Sequence, residues 1–146
     1  MSKTIKILLG IGLVLIAIQF IRPSRNISSQ ILATDITKTV KVSDSVQAVL
    51  KKACYDCHSN NTNYPWYSNI QPVGWFLANH VSGGKRHLNF SEFGSYSKRR
   101  QLSKLNDITN EIQEDDMPLT SYKLMHKEAR LTAYEKSLVI KWSQQK

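Results

Sequence analysis

The sequence has only two cysteines, Cys54 and Cys57. Two thiols exclude a four-thiolate zinc site, and a disulfide closing so short a loop would constrain little of the unfolded chain. Their task is therefore local. Acidic residues are also scarce, 11 against 20 Lys and Arg, for a formal net charge of +9. Setting aside Lys3, Lys6 and Arg22, which flank an apolar run, leaves 17 basic and 11 acidic residues, a net +6. That balance suits anionic lipid, an acidic protein or nucleic acid. The basic residues are scattered, however, and the one tight cluster, Lys98-Arg99-Arg100, reads as a solvated helix face, so no nucleic-acid partner is expected. No stretch alternates apolar and polar residues long enough to argue a sheet, and no internal repeat is present. The expected class is all-α.

Long apolar runs are limited to one. Ile5 to Ile21 is apolar apart from Lys6 and Gln19, and Ile7 to Ile18 has no polar side chain. Lys3 and Lys6 give it a positive leading region, while Gln19-Phe20-Ile21-Arg22-Pro23 is too bulky for a small-x-small cleavage site. Residues 1–22 are thus expected to be a retained signal anchor or transmembrane helix, at the short end for a bilayer span. Arg22 and Arg25 offset the two lysines, so charge does not set the orientation. Residues 23–42 are polar, lack helical periodicity and read as a linker. Residues 43–146 read as one domain, of a size that buries a modest fraction of its surface and gains from a rigid apolar prosthetic group.

Within that domain Ser43-Asp44 is a good N-cap pair, followed by Val46, Val49, Leu50 and Ala53 at spacings of three and four. The helix they predict leads directly into Cys54. Pro72 to Val81 predicts a second helix, with Gly83-Gly84 ending it. Ser97 to Glu114 predicts a third, with Leu102, Leu105, Ile108 and Ile112 on one face. Thr132 with Glu135 forms a capping-box pattern opening a last helix to Trp142, with Leu138, Val139 and Trp142 as its apolar face.

Cys54-Tyr55-Asp56-Cys57-His58 matches C-x-x-C-H, the pattern of covalent c-type haem attachment. Two thiols at this spacing can form thioethers to the two vinyl groups along one haem edge, and the adjacent imidazole can turn to the iron as proximal ligand. A redox dithiol would call for a βαβ pattern, and zinc for a second Cys/His pair; neither is present. One covalent haem c is expected, on the outer side of a bacterial inner membrane. For the far side of the iron the candidates are Met117, Met125, His80, His87 and His126. Met117, followed by Pro118 in a loop between predicted helices, is the expected distal ligand. Met125 reads as gap-filling core, His80 as a hydrogen-bonded helix residue, and His87 as exposed or near a propionate.

The order of helix, C-x-x-C-H, middle helices, Met-Pro loop and C-terminal amphipathic helix resembles class I cytochrome c over residues 43 to 143. More narrowly, the run from Cys54 through Ser-Asn-Asn-Thr-Asn-Tyr-Pro-Trp-Tyr-Ser-Asn-Ile-Gln-Pro-Val is similar to a small bacterial family called the haem-binding domain. So are Gly-Lys-Arg-His-Leu-Asn-Phe-Ser-Glu and Met-Pro-Leu-Thr-Ser-Tyr. The resemblance implies that the first and last helices of the domain pack together, through Val46, Val49 and Leu50 against Leu138, Val139 and Trp142. It departs from ordinary small cytochromes at Tyr64 to Phe93, which is richer in aromatics. The function it leads us to expect is electron transfer by a membrane-anchored monohaem cytochrome facing the periplasm. A basic rim of Lys51, Lys52, Lys85 and Arg86 would serve an acidic redox partner. The alternatives are a haem peroxidase or sensor with an open distal site, for which His80 or His87 would assist proton transfer.

Overall fold

The computed structural model describes residues 2–28 and 30–145. Helices are the only regular elements among them, as the missing alternation predicts. The first, α1 (Lys3–Ile18), starts at Ser2, whose side chain accepts from the Ile5 N–H, and none of its side chains is buried. Its 16 residues reach roughly 24 Å, against about 30 Å for a bilayer core. No helix among the described residues is long and apolar enough to cross a membrane. The expected membrane helix therefore falls short of spanning length. What ends it is Gln19, whose Nε2 donates to the Leu15 carbonyl at 2.9 Å and to the Gln71 carbonyl at 3.1 Å, while its Oε1 accepts from the Gln71 N–H at 2.9 Å.

The stretch 23–42, read as a linker, is seated on the domain. Asn26 donates to the Ser59 carbonyl and the Thr62 hydroxyl, and accepts from Lys85 Nζ. Further on, Asp35 caps a single turn, α2 (Ile36–Thr39), and Ile36 is fully buried in the core. The Gly94 N–H reaches the Thr34 carbonyl at 2.7 Å. Hydrogen bonds from scattered polar side chains have no period, so the sequence pattern does not announce them.

The next element is α3 (Asp44–Ala53), capped by Ser43 and burying the four expected residues Val46, Val49, Leu50 and Ala53. A one-turn helix, α4 (Tyr55–His58), follows without a break other than Cys54. The middle helix α5 (Val73–His87) runs six residues beyond the predicted end, straight through Gly83 and Gly84. A 3-10 segment at Phe90–Ser95 then buries Phe90 and Phe93. Ser97 caps α6 (Lys98–Gln113), whose opening basic triplet is exposed as expected. Its buried face differs from the prediction at one position: Leu102 is 44% exposed and Gln101 is buried. Gln101 Nε2 donates to the Phe93 and Tyr96 carbonyls, which no leucine could satisfy. After the Met117-Pro118 loop come α7 (Thr120–Met125) and α8 (Ala133–Ser143), the last opened by the predicted Thr132–Glu135 capping box.

Packing brings α8 against both α6 and α3. Val139 and Trp142 meet Val46, Val49 and Leu50 in one cluster, with Leu105, Ile108 and Ile112 of α6 on the other side. Two polar contacts fix the arrangement: Thr109 to Ser143 at 2.7 Å, and Trp142 Nε1 donating to the Lys41 carbonyl at 3.0 Å. The core leaves Cys54 and Tyr55 at its edge, partly buried against it. This edge is where the cysteine turn projects.

Candidate functional site

Cys54 is the hinge between two helical segments. Its N–H closes α3 on Leu50, and its carbonyl accepts from the N–H groups of Cys57 at 3.2 Å and His58 at 2.9 Å. One turn thereby carries both thiols and the imidazole. Tyr55 is stacked on Phe90 with ring centroids 5.1 Å apart, and this stacking anchors the turn in the core. Its hydroxyl is buried with no partner, and burial raises its pKa. The two cysteines are free thiols, half-buried. Burial, then the neighbouring Cys57, pushes Cys54 up to about 12; burial, then Asp56, pushes Cys57 up to about 11. Both are therefore neutral thiols near pH 7.

His58 has its ring fixed from behind. Nδ1 lies 3.0 Å from the Leu88 carbonyl. A carbonyl only accepts, so Nδ1 carries the proton and Nε2 keeps a lone pair, the form in which imidazole binds a metal. Burial holds the His58 pKa below its ordinary value, against the opposing pull of the Leu88 and Gly84 carbonyls. The ring is thus neutral at pH 7. The two helices can approach this closely because of Gly84: a Cβ there would sit 2.6 Å from the Cys57 carbonyl oxygen. Sequence reading took Gly84 for a helix stop; its role is to let α5 cross the cysteine turn.

Asp56, between the cysteines, holds the other side. Its Oδ1 accepts from the Asn63 N–H at 3.1 Å and its Oδ2 from the Tyr122 hydroxyl at 2.7 Å. The Tyr122 ring stacks on His126 at 4.2 Å, and His126 Nε2 lies 2.7 Å from the Tyr67 hydroxyl. Tyr122 is raised in pKa, by burial and then by its bond to Asp56. Met117 lies half-buried in the loop before α7, its N–H on the Glu111 carbonyl. The bond that ties its segment to the cysteine turn is the one from Tyr122. Met125 is 58% exposed rather than core filling. His80 is half-buried against Phe76, ring centroids 4.3 Å apart, and His87 is exposed. Of the expected basic rim, Lys52 is paired with Glu135 at 2.5 Å, and among the described residues Lys51, Lys85 and Arg86 have no carboxylate partner.

The donor set fits a c-type haem. Two neutral, unbridged thiols and a metal-ready imidazole share one turn. Large apolar side chains stay exposed on the adjoining elements, including Ile70, Val73 and Phe76 near the start of α5 and Leu124 on α7. The sequence signals for Tyr122 and Leu88 were confined to the quoted family runs; Asn26 gave none.

No curated protein and no solved structure matches the chain. A family model described as the haem-binding domain matches residues 13–145. That covers nearly all of the sequence, including the cysteine turn, Leu88, the Met117 loop and α8, and the chain belongs to the haem-binding domain family.

Proposed function

We propose that this protein is a monohaem c-type cytochrome that carries single electrons, with haem held covalently by Cys54 and Cys57, His58 as proximal ligand and Met117 as distal ligand. The observation that carries the reading is the His58 ring, fixed by the Leu88 carbonyl so that Nε2 is free beside two neutral thiols. Bound haem supplies a one-electron couple at its iron, and His/Met ligation raises its potential relative to bis-His. The chain supplies everything else. Leu88 and Gly84 fix the imidazole, Cys54 and Cys57 fix the haem edge, and the Tyr122–Asp56 bond holds the segment that delivers Met117. If His58 and Met117 both held the haem iron, no position on it would be open to substrate, which would favour electron transfer over peroxide chemistry.

The apolar α1 would tether the protein to a bacterial inner membrane. The haem domain would then face the periplasm, where c-type haem is attached. Lys51, Lys85 and Arg86 would steer an acidic redox partner. The test is a haem-stained denaturing gel together with optical spectra of both redox states. Stain should persist in the native chain and vanish in the Cys54→Ala/Cys57→Ala variant; an unstained native band overturns covalent attachment. The ferric protein should show low-spin iron with the weak long-wavelength band of methionine ligation, converted to high-spin by Met117→Ala. An unchanged spectrum in that variant removes Met117 as ligand.

A further inference from the structure

At the other end of α5 from the cysteine turn, the end of α1 is fastened to the domain. Gln19 and Gln71 exchange two hydrogen bonds: Gln19 Nε2 donates to the Gln71 carbonyl at 3.1 Å, and Gln19 Oε1 accepts from the Gln71 N–H at 2.9 Å. A third bond runs from Trp75 Nε1 to the Ile21 carbonyl at 2.8 Å. The paired residues are 52 and 54 positions apart, so these bonds join two distant segments and oppose any swing of the domain about the exit from α1.

The residues flanking this junction are apolar and uncovered. Phe20 and Ile21, which follow Gln19, are 84% and 63% exposed; Ile70 and Val73, on either side of Gln71, are 46% and 43% exposed. Chain neighbours of a bonded pair lie close together, so the four surround one junction and continue the apolar surface of α1, none of whose side chains is buried. The junction is distant from the cysteine turn, which α5 touches at Gly84, 11 residues beyond Val73 and roughly 16 Å along the helix. Its charges have one sign. Residues 1–34 and 57–91, the two segments that meet there, contain no Asp or Glu, whereas they carry Lys3, Lys6, Arg22, Arg25, Lys85 and Arg86. Arg22 is placed at the junction itself, its Nε 3.4 Å from the Gln19 carbonyl. Exposed aliphatic and aromatic side chains among basic residues, with no acidic one, have the chemistry of a surface that enters an anionic lipid interface.

We propose that the haem domain itself docks on the lipid surface, with Phe20, Ile21, Ile70 and Val73 entering the interface and Arg22 meeting anionic headgroups. This rests on the reading of α1 as a membrane tether and extends it. The domain is held against the membrane in one orientation instead of trailing on a flexible linker, and the face around the junction is closed to a redox partner.

The test is photolabelling of the full chain in vesicles of phosphatidylglycerol and phosphatidylcholine, doped with a phosphatidylcholine that carries a diazirine on its acyl chain. Proteolysis and mass spectrometry then locate the adducts. Adducts on α1 read the tether, and adducts at residues 70–73 read the docking. We expect both, with residues 70–73 labelled at least fivefold more than Leu102 of α6 and Tyr134 of α8, which are also exposed but sit on helices that pack elsewhere. Ile70→Asp combined with Val73→Asp changes only exposed side chains. It should lower labelling of residues 70–73 at least fivefold and leave that of α1 and the far-ultraviolet circular dichroism unchanged. Labelling of α1 alone keeps the tether and overturns the docking, whereas labelling of residues 70–73 alone keeps the docking and removes the tether. Labelling of neither, or equal labelling of Leu102 and Tyr134, overturns the proposal. Haem is the rival occupant of this face: loss of haem stain in the double variant, with no adducts at residues 70–73 of the native chain, assigns the face to haem and overturns the docking.

Discussion

Between Gly84 and the Cys57 carbonyl there is no space for a methyl group, because the contact would be 2.6 Å and its partner is backbone, which cannot rotate away. Gly83, one residue earlier, is different: a Cβ there would meet only Arg86 Nη2, at 3.8 Å. Both lie inside α5, where glycine costs up to about 1 kcal/mol of helix stability relative to alanine. Gly83→Ala should therefore stabilise the protein by up to about 1 kcal/mol. Gly84→Ala should destabilise it by about 1–2 kcal/mol, since overpacking of this kind costs about 1–3 kcal/mol and outweighs the helical gain. The same substitution would push the Leu88 carbonyl away from His58 Nδ1, the bond that sets the tautomer. Denaturant unfolding of the two variants side by side checks the argument. Equal stabilities would mean that α5 can slide off the cysteine turn at no cost.

At the scale of elements, α7 is a helix of six residues with none of its side chains buried. Such a segment has little reason to stay ordered by itself. Its attachment is polar, from Tyr122 to Asp56, with the His126 stack and the Tyr67 bond behind it. Tyr122→Phe removes one hydroxyl and leaves the Asp56 Oδ2 without this donor, a hydrogen bond to a charged group worth about 1.5–3 kcal/mol. We expect hydrogen exchange at the Lys123 and His126 amides, which close α7 on Leu119 and Tyr122, to speed up by tenfold or more. Exchange across α3 and α8 should not change. Unchanged protection of α7 would show that Met117 and its segment are held by something other than Tyr122. These elements also mark the limit of what sequence pattern conveys. The helices α3, α6 and α8 are legible because each buries apolar residues at helical spacing behind a recognisable cap. The haem turn is legible because five adjacent residues carry its chemistry. Asn26, Gly84 and Leu88 are not, because each acts through backbone or side-chain amide contacts whose partners lie 27 or more residues away, and no spacing rule encodes such a pairing.

At the scale of the molecule, the cluster from Ile36 to Trp142 closes among α2, α3, the 3-10 segment at Phe90–Ser95, α6 and α8, and the cysteine turn meets it from the rim, through Cys54, Tyr55 and an edge contact of His58 on Phe90. The haem-free chain should therefore fold, and its two thiols then couple its stability to pH. Each has a pKa in the folded chain above the ordinary value of 9.0, about 12 for Cys54 and about 11 for Cys57, with burial the leading cause. Below pH 9 both states carry neutral thiols and the contribution to stability is complete. Above it the unfolded chain loses these protons while the folded chain keeps them, so the unfolded state binds fewer protons and stability falls as pH rises toward 12. The haem-free Cys54→Ala/Cys57→Ala variant lacks both groups. Other groups, Tyr55 and Tyr122 among them, titrate in both chains and cancel in the comparison. Urea unfolding of the two haem-free chains at intervals from pH 8 to 11 should show midpoints that diverge above pH 9, the thiol-bearing chain losing stability faster. Parallel midpoints over that range would mean that the thiols are open to water and that the cysteine turn is not packed against the core without its haem.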